Sequence, residues 1–338
     1  MEYALVTKPS QETAQPAPSI PQNGLLIVKT ANQTIKDAIA QPIPQKLYGD
    51  LWFEGETAIL FADTNLGKSI MAVQIADGIT RGRRGGVTGS EANSQPVLYL
   101  DYELSDKQFE KRYSAEYEQH YLWDSKFLRV KINPFFVDFE DFEKQMFKEI
   151  EAILEETGCK ILIVDNVTYL KMQSTESGKE AMSLMKQLTH LKHKFSLSLL
   201  VLAHTPKRQH LSSPLTLNDL AGSKQLSNFA DSIFCVGKSH QDSTIRYVKQ
   251  LKARSCPVEE EVYLFRLEKN HNFLGFTFEG MDVEYVHLKP ADIVKSELTE
   301  KVIETKKEYP DWSLQQIADK VGVKHKMTVQ RILDKNPP

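Results

Sequence analysis

The chain has 338 residues, 41% hydrophobic and 26% charged, with a formal net charge of −3. That length suggests about two domains with a substantial core, and the composition is ordinary for a soluble globular protein. The charge excludes a globally basic nucleic-acid binder, so any DNA contact has to come from local patches. Cys159, Cys235 and Cys256 are few and widely spaced, with neither a disulfide framework nor zinc spacing. No charged-then-apolar leader follows Met1, and no apolar run reaches about 18 residues. The expectation is a cytoplasmic protein with no membrane partner.

Pro9, Pro16, Pro18 and Pro21 punctuate a Gln- and Ser-rich start that cannot build a core. A flexible tail is expected over residues 1–33. Residues 34–45 predict a short helix, stopped by Pro42 and Pro44. From residue 34 to residue 290 the pattern is expected to form one α/β domain.

Residues 54–69 organise that domain. A turn is followed by the buried strand of residues 57–61, a tight loop and a helix start. Ala62, Asp63, Thr64, Asn65, Leu66, Gly67, Lys68, Ser69 and Ile70 form a near match to the phosphate-binding loop G-x-x-x-x-G-K-[ST]. Such a loop turns successive backbone N–H groups inward and aims a helix N-terminus at the same point, so it holds a polyphosphate. Lys68 is the residue to reach the β/γ-phosphates, and the Ser69 hydroxyl the one to ligate Mg²⁺. Ala62 replaces the usual first Gly, which is tolerable where φ stays negative.

Ile70, Ala72, Val73, Ala76 and Ile79 predict an apolar helix ending near Gly82. Residues 81–86 follow as an Arg-rich turn, either solvated or a subunit or DNA contact. Residues 97–100 read as a strand that ends in Asp101, Tyr102 and Glu103, and Ser105 with Gln108 reads as a capping box. A carboxylate at such a strand tip lies where open α/β sheets bind ligands. Glu103 is therefore a candidate general base, against the plainer reading of a surface acid. A strand is expected over residues 127–132 and a helix over 142–154, ended by Gly158. Residues 160–166 then give four buried β-formers and Asp165, the Walker B pattern that brings a carboxylate to the Mg²⁺ shell.

Met182, Met185 and Leu188 predict the core face of a helix over residues 180–195. The strand over 197–203 carries His204 at its tip, a γ-phosphate sensor or a plain loop histidine. Residues 205–214 are basic, polar and aperiodic, a loop for DNA contact or for solvent. A broken helix is expected over 218–229 and strands over 231–236, 244–254, 262–267 and 273–278. The period of two puts Lys252 and Arg254 on one face.

The sequence changes character after Pro290, and residues 291–338 are expected to be a small helical domain. One helix is predicted over 298–308. Ser313, with Gln316, caps the next, and residues 314–333 read as helix, Gly-containing turn and helix. Ile317, Ala318, Val321, Val323, Val329, Ile332 and Leu333 are expected to share its core. Residues 315–335 hold five Lys or Arg against two Asp. Helix-turn-helix units bind duplex DNA or serve as packing modules. Lys324, His325, Lys326, Thr328, Gln330 and Arg331 are placed to reach DNA.

In this order the motifs resemble the RecA-type ATPases over residues 46–270, especially the DnaB-like and plasmid RepA-type hexameric helicases and related mobile-element ATPases. The resemblance implies a RecA-like P-loop NTPase core with a mostly parallel sheet and an antiparallel β extension, using ATP and Mg²⁺. The catalytic glutamate of that family corresponds to Glu103 and its polar sensor to His204. Its central DNA-facing loop corresponds to residues 205–214, where Lys207 and Arg208 would meet a single strand. The K-x-R pair that such rings insert into a neighbour's site matches Lys252 and Arg254. DnaB-like loops also carry Ala at the position of Ala62.

The expected function is that of a DNA-dependent, ring-forming ATPase, a hexameric helicase or DNA-remodelling motor in replication or mobility of a plasmid or mobile element. The alternative is a nucleotide-gated DNA-binding regulator or loader with little motor activity.

Overall fold

The computed structural model describes residues 26–83, 90–133, 135, 142–167, 178–205, 213–221, 223–289, 291–323 and 325–336. The chain divides into two units, Met1–Ile43 and Pro44–Pro338. In the first, helix α1 (Ala31–Ile39) begins where the Thr30 side chain accepts the Gln33 N–H at 3.2 Å. It therefore starts three residues before the expected Thr34. It stops at Ile39, three residues before Pro42, because a proline disfavours helical backbone at the residue before it.

The second unit opens with a small antiparallel pair, β1 (Lys46–Tyr48) and β2 (Trp52–Phe53). Next come β3 (Thr57–Ala62), α2 (Lys68–Arg81), β4 (Val97–Asp101) and α3 (Asp106–Arg112). A hairpin that the periodicity did not predict follows, β5 (Ser114–Ala115) and β6 (Gln119–His120), and then β7 (Phe127–Val130) and α4 (Phe142–Thr157). The chain continues through β8 (Ile161–Asp165), α5 (Gly178–Phe195), β9 (Ser198–His204), α6 (Ser223–Phe229) and β10 (Ser232–Lys238). The strands β11 (Ile245–Lys252), β12 (Val262–Asn270) and β13 (Phe273–Asp282) lead to the short α7 (Glu284–His287).

Nine of these strands form one sheet in the order β13-β12-β11-β10-β3-β9-β8-β4-β7. The six from β10 to β7 are parallel, and β11, β12 and β13 extend the sheet antiparallel, as the sequence predicts. The central strands are continuous apolar runs because both faces of the sheet are covered. Alternate side chains enter different clusters: Ile59 and Phe61 join Leu162, Val164, Leu199 and Val201 on one face. Ala58, Leu60 and Ala62 join Ile161, Ile163, Leu200 and α2 on the other. Each fully buried Ile, Leu or Phe contributes about 1.5–3 kcal/mol relative to exposure.

The register brings the functional strand tips into line. Ala62 of β3 pairs with His204 of β9 and Val236 of β10, while Asp165 of β8 pairs with Asp101 of β4. Loops leaving this end of the sheet therefore converge above β3, which is where ligands bind in sheets of this kind.

After α7 come α8 (Ala291–Glu308), α9 (Leu314–Val321) and α10 (Lys326–Lys335). Their own core is Val302, Ile317, Ala318 and Val329, with Val321, Val323, Ile332 and Leu333 packed against it. Ser313 and Gln316 close the predicted capping box, and Gly322, at φ 75, takes the left-handed turn out of α9. Among the described residues no helix is long and apolar enough to cross a membrane.

Candidate nucleotide site

The loop after β3 shows where glycine is required. Ala62 is a buried strand residue and does not adopt positive φ; Asn65 (φ 65) and Gly67 (φ 94) do. At Gly67 an added Cβ would also lie 2.8 Å from the Phe276 ring, a clash. That ring is held by reciprocal bonds between β13 and α2. Gln74 Nε2 donates to Phe276 O at 2.9 Å, and the Phe276 N–H donates to Gln74 Oε1 at 2.6 Å.

Because Gly67 caps α2 without a side-chain bond, the first N–H groups of the helix are left to a ligand. A cavity of about 220 Å³ opens there, with Asp63, Thr64, Asn65, Ser69 and Ile70 on one side and Glu103, Arg112 and His204 on another. Leu66 turns away and packs against the second core cluster.

Lys68, only 6% exposed, reaches across the cavity floor to within 3.9 Å of Asp165 Oδ1. Asp165 is fully buried at the tip of β8. Its Oδ2 accepts the Tyr99 hydroxyl at 2.7 Å, whereas Oδ1 has no hydrogen-bond partner among the described residues. Burial pushes its carboxyl up, opposed by the charge of Lys68, the Tyr99 bond and the nearby Ser69 hydroxyl. A buried carboxylate oxygen without a donor, beside the Ser69 hydroxyl, fits the oxygen shell of a Mg²⁺ ion.

The structure separates the two carboxylates after β4. Asp101 is saturated: Oδ1 accepts the N–H groups of Glu103 at 3.3 Å and Leu104 at 3.0 Å, and Oδ2 takes Arg129 Nε at 2.8 Å. Glu103 instead points into the cavity, where Asn166 Nδ2 donates to its Oε1 and His204 Nε2 lies 3.5 Å away. Its neighbours hold the Glu103 carboxyl below the ordinary range against burial, His204 first and then Lys68 and Asn166. The next residue, Thr205, donates its hydroxyl to Asp63 Oδ1 and so ties the end of β9 to the phosphate loop.

Two residues of the site, one lining the cavity and one behind its wall, escape a reading of the sequence. Arg112 ends α3, and its Nη1 is buried without a hydrogen-bond partner among the described residues, a cation available to phosphate oxygens. Asn166, fully buried, holds Glu103 and His204 together. Only Arg112 carries a legible signal, as a basic residue one short capped helix after Glu103.

Lys252 and Arg254 do not join this cavity. The strand β11 ends at Lys252, so Arg254 lies beyond it and the expected alternation does not reach it. Lys252 Nζ donates to Ser227 O at 2.7 Å, and Arg254 Nη1 to Asp231 Oδ1 at 2.8 Å. Asp231 also accepts the N–H of Thr57, the first residue of β3, so the pair sits at the opposite end of the strands from the cavity.

In the C-terminal helices, His325, Lys326 and Arg331 are exposed while Thr328 and Gln330 are half-buried, Gln330 being bonded to Asp334 at 2.6 Å. Lys207, Arg208 and Lys324 lie outside the described residues.

The AAA domain family matches residues 28–210. Among solved structures, a KaiC-like protein from the hyperthermophilic archaeon Pyrococcus horikoshii aligns with a TM-score of 0.48 and 15% identity, over 68% of this chain and 91% of that one. No curated protein matches the chain. The family match covers more than half of the chain and includes the phosphate loop, Glu103, Asp165 and His204. The protein therefore belongs to the AAA domain family and is a P-loop ATPase.

Proposed function

We propose that the protein is a DNA-dependent ATPase that assembles into a ring, hexameric by its sequence resemblance, and uses hydrolysis to move on or remodel DNA. The observation that carries the hydrolytic half is the convergence of Lys68, Glu103, Arg112 and His204 on one cavity with Asp165 behind Lys68, polar atoms of Asp165 and Arg112 having no hydrogen-bond partner among the described residues. Lys68 and Arg112 would hold the negative charge of the transferring phosphoryl group. Glu103 is kept ionised by its neighbours and would orient the attacking water and accept its proton. His204 would meet the γ-phosphate, and Thr205 would report its position to the phosphate loop through Asp63. Ser69 and Asp165 are the residues to hold Mg²⁺, which when bound offsets phosphate charge.

The exposed basic residues of α10 support the DNA half. They lie on a helical trio with its own core, to which none of the cavity residues belongs. Lys207 and Arg208 are the single-strand contacts in this reading. A second reading, a nucleotide-gated DNA-binding regulator or loader, is favoured by one observation: Arg254 is engaged with Asp231 of its own chain. A ring would have to redirect it.

ATP turnover without DNA, with single strands and with duplex, beside the mass of the protein in ATP, separates the two. Stimulated turnover with a ring-sized mass is expected, together with strand displacement on a tailed duplex. Tight duplex binding with unstimulated turnover and no ring would establish the regulator.

A further inference from the structure

Asn166 immediately follows Asp165 and is 0% exposed. Its Nδ2 meets two groups of the cavity wall, donating to Glu103 Oε1 and lying 2.7 Å from His204 Nε2. The orientation of the amide follows from chemistry. An amide oxygen facing the Glu103 carboxylate would press two acceptors together, so the NH₂ must face it. One N–H then serves Glu103 and the other His204 Nε2, which has to accept and leaves the ring proton on Nδ1. With Nε2 accepting from the amide, the 3.5 Å approach of His204 to Glu103 Oε1 brings two acceptors together and supplies no anchor. Without the amide, the Glu103 side chain, 29% exposed, would lose its direct anchor to the sheet.

We infer that Asn166 is a positioning residue of the hydrolytic step: its amide aligns the Glu103 carboxylate and fixes the tautomer of His204. The inference rests on the reading of Glu103 as the water-orienting carboxylate. It adds that the strand end carrying the Mg²⁺-holding Asp165 also carries the residue that aims the base, so both are set by one turn of backbone. Asn166 works through Glu103 and has no need to touch the nucleotide.

The test uses Asn166→Ala, which removes the amide, and Asn166→Leu, which keeps its approximate shape without any donor. Each is made in the wild-type chain and in Glu103→Gln, with ATP turnover measured beside binding of a fluorescent ATP analogue. In the wild-type background kcat should fall on the order of tenfold to a hundredfold in both variants, with nucleotide affinity changed less than about threefold. In the Glu103→Gln background the same substitutions should lower the residual rate by less than about twofold, since the residue through which Asn166 acts is already gone. Wild-type kcat in either Asn166 variant, beside an impaired Glu103→Gln, would overturn the inference. So would an equal further fall in the Glu103→Gln background, which would mark a structural role. A fully active Glu103→Gln protein would instead remove the reading of Glu103 on which the inference stands.

Discussion

Two charge clusters, around Asp231 at the N-terminal end of the parallel strands and around Asp165 at the C-terminal end, treat their charges in different ways. At the N-terminal end Asp231 accepts the Thr57 N–H and Lys192 Nζ, each at 2.9 Å, and pairs with Arg254. At the C-terminal end Asp165 Oδ1 and Arg112 Nη1 are buried with no hydrogen-bond partner among the described residues, and Lys68 comes no closer to Asp165 than 3.9 Å. Burying a charged group without full compensation is costly, so such groups persist where a ligand completes them. The difference distinguishes these two clusters: the saturated one ties strands together, and the unsatisfied one borders the cavity, although Arg246 Nε and His287 Nε2 also lack partners among the described residues away from it.

Arg254 is where that contrast can be broken most sharply. If a ring forms, Arg254 exchanges Asp231 for a neighbour's phosphate, and Arg254→Ala should bind ATP yet lose about 10³-fold in turnover. Mixing it with Lys68→Ala protein should restore some activity, because an intact arginine then faces an intact loop. Full turnover in Arg254→Ala alone would leave it a structural partner of Asp231 and dismiss the ring. At the other end, Lys68→Ala should weaken MgATP binding about tenfold to a hundredfold, the scale for losing a hydrogen bond to a charged group. Equilibrium binding of a fluorescent nucleotide reads this directly.

Asp231→Asn sharpens the structural side. Burial acts to raise the Asp231 carboxyl, but the Thr57 N–H, Lys192 and Arg254 outweigh it and hold the carboxyl below its usual range. A depressed carboxylate contributes stability above its unfolded pKa, and that contribution is lost as pH falls through the folded value. Asp231→Asn should therefore cost about 1–3 kcal/mol near neutral pH and less in acid. Urea midpoints across pH test this; an unchanged acid dependence would refute it. The smallest effect is expected at Arg331, far in sequence from the site. Arg331→Ala should reduce the salt slope of duplex binding by about one and leave basal ATP turnover unchanged.

What the sequence makes legible follows the range of the interactions. The strand, loop and helix around Lys68 depend on neighbours within a few residues, and so do the capping boxes at Ser105 and Ser313. The apolar runs of β3, β8 and β9 declare strands covered on both faces. Glu103 could be proposed but not separated from Asp101, because the separation rests on Arg129, which arrives from β7. Arg112 joins the cavity, and Asn166 meets its wall from behind, through tertiary placement, which no periodicity encodes. The partner of Arg254 was illegible for the same reason: Asp231 lies 23 residues away, at the start of another strand. Helix α8 begins at Ala291, seven residues before the expected Leu298, because tertiary packing extends helices beyond their apolar pattern.

The most direct test of the central claim compares Glu103→Gln with Asp101→Asn under saturating MgATP. The structure gives the two carboxylates opposite duties, one facing the cavity and one saturated by backbone and Arg129. Glu103→Gln should retain ATP binding and hydrolyse at least about a hundredfold more slowly, the loss expected for a positioned base. Asp101→Asn should lose stability and keep far more of its turnover. If Asp101→Asn binds ATP without hydrolysing it while Glu103→Gln turns over at the wild-type rate, the assignment of unsatisfied groups to chemistry and saturated ones to structure is wrong.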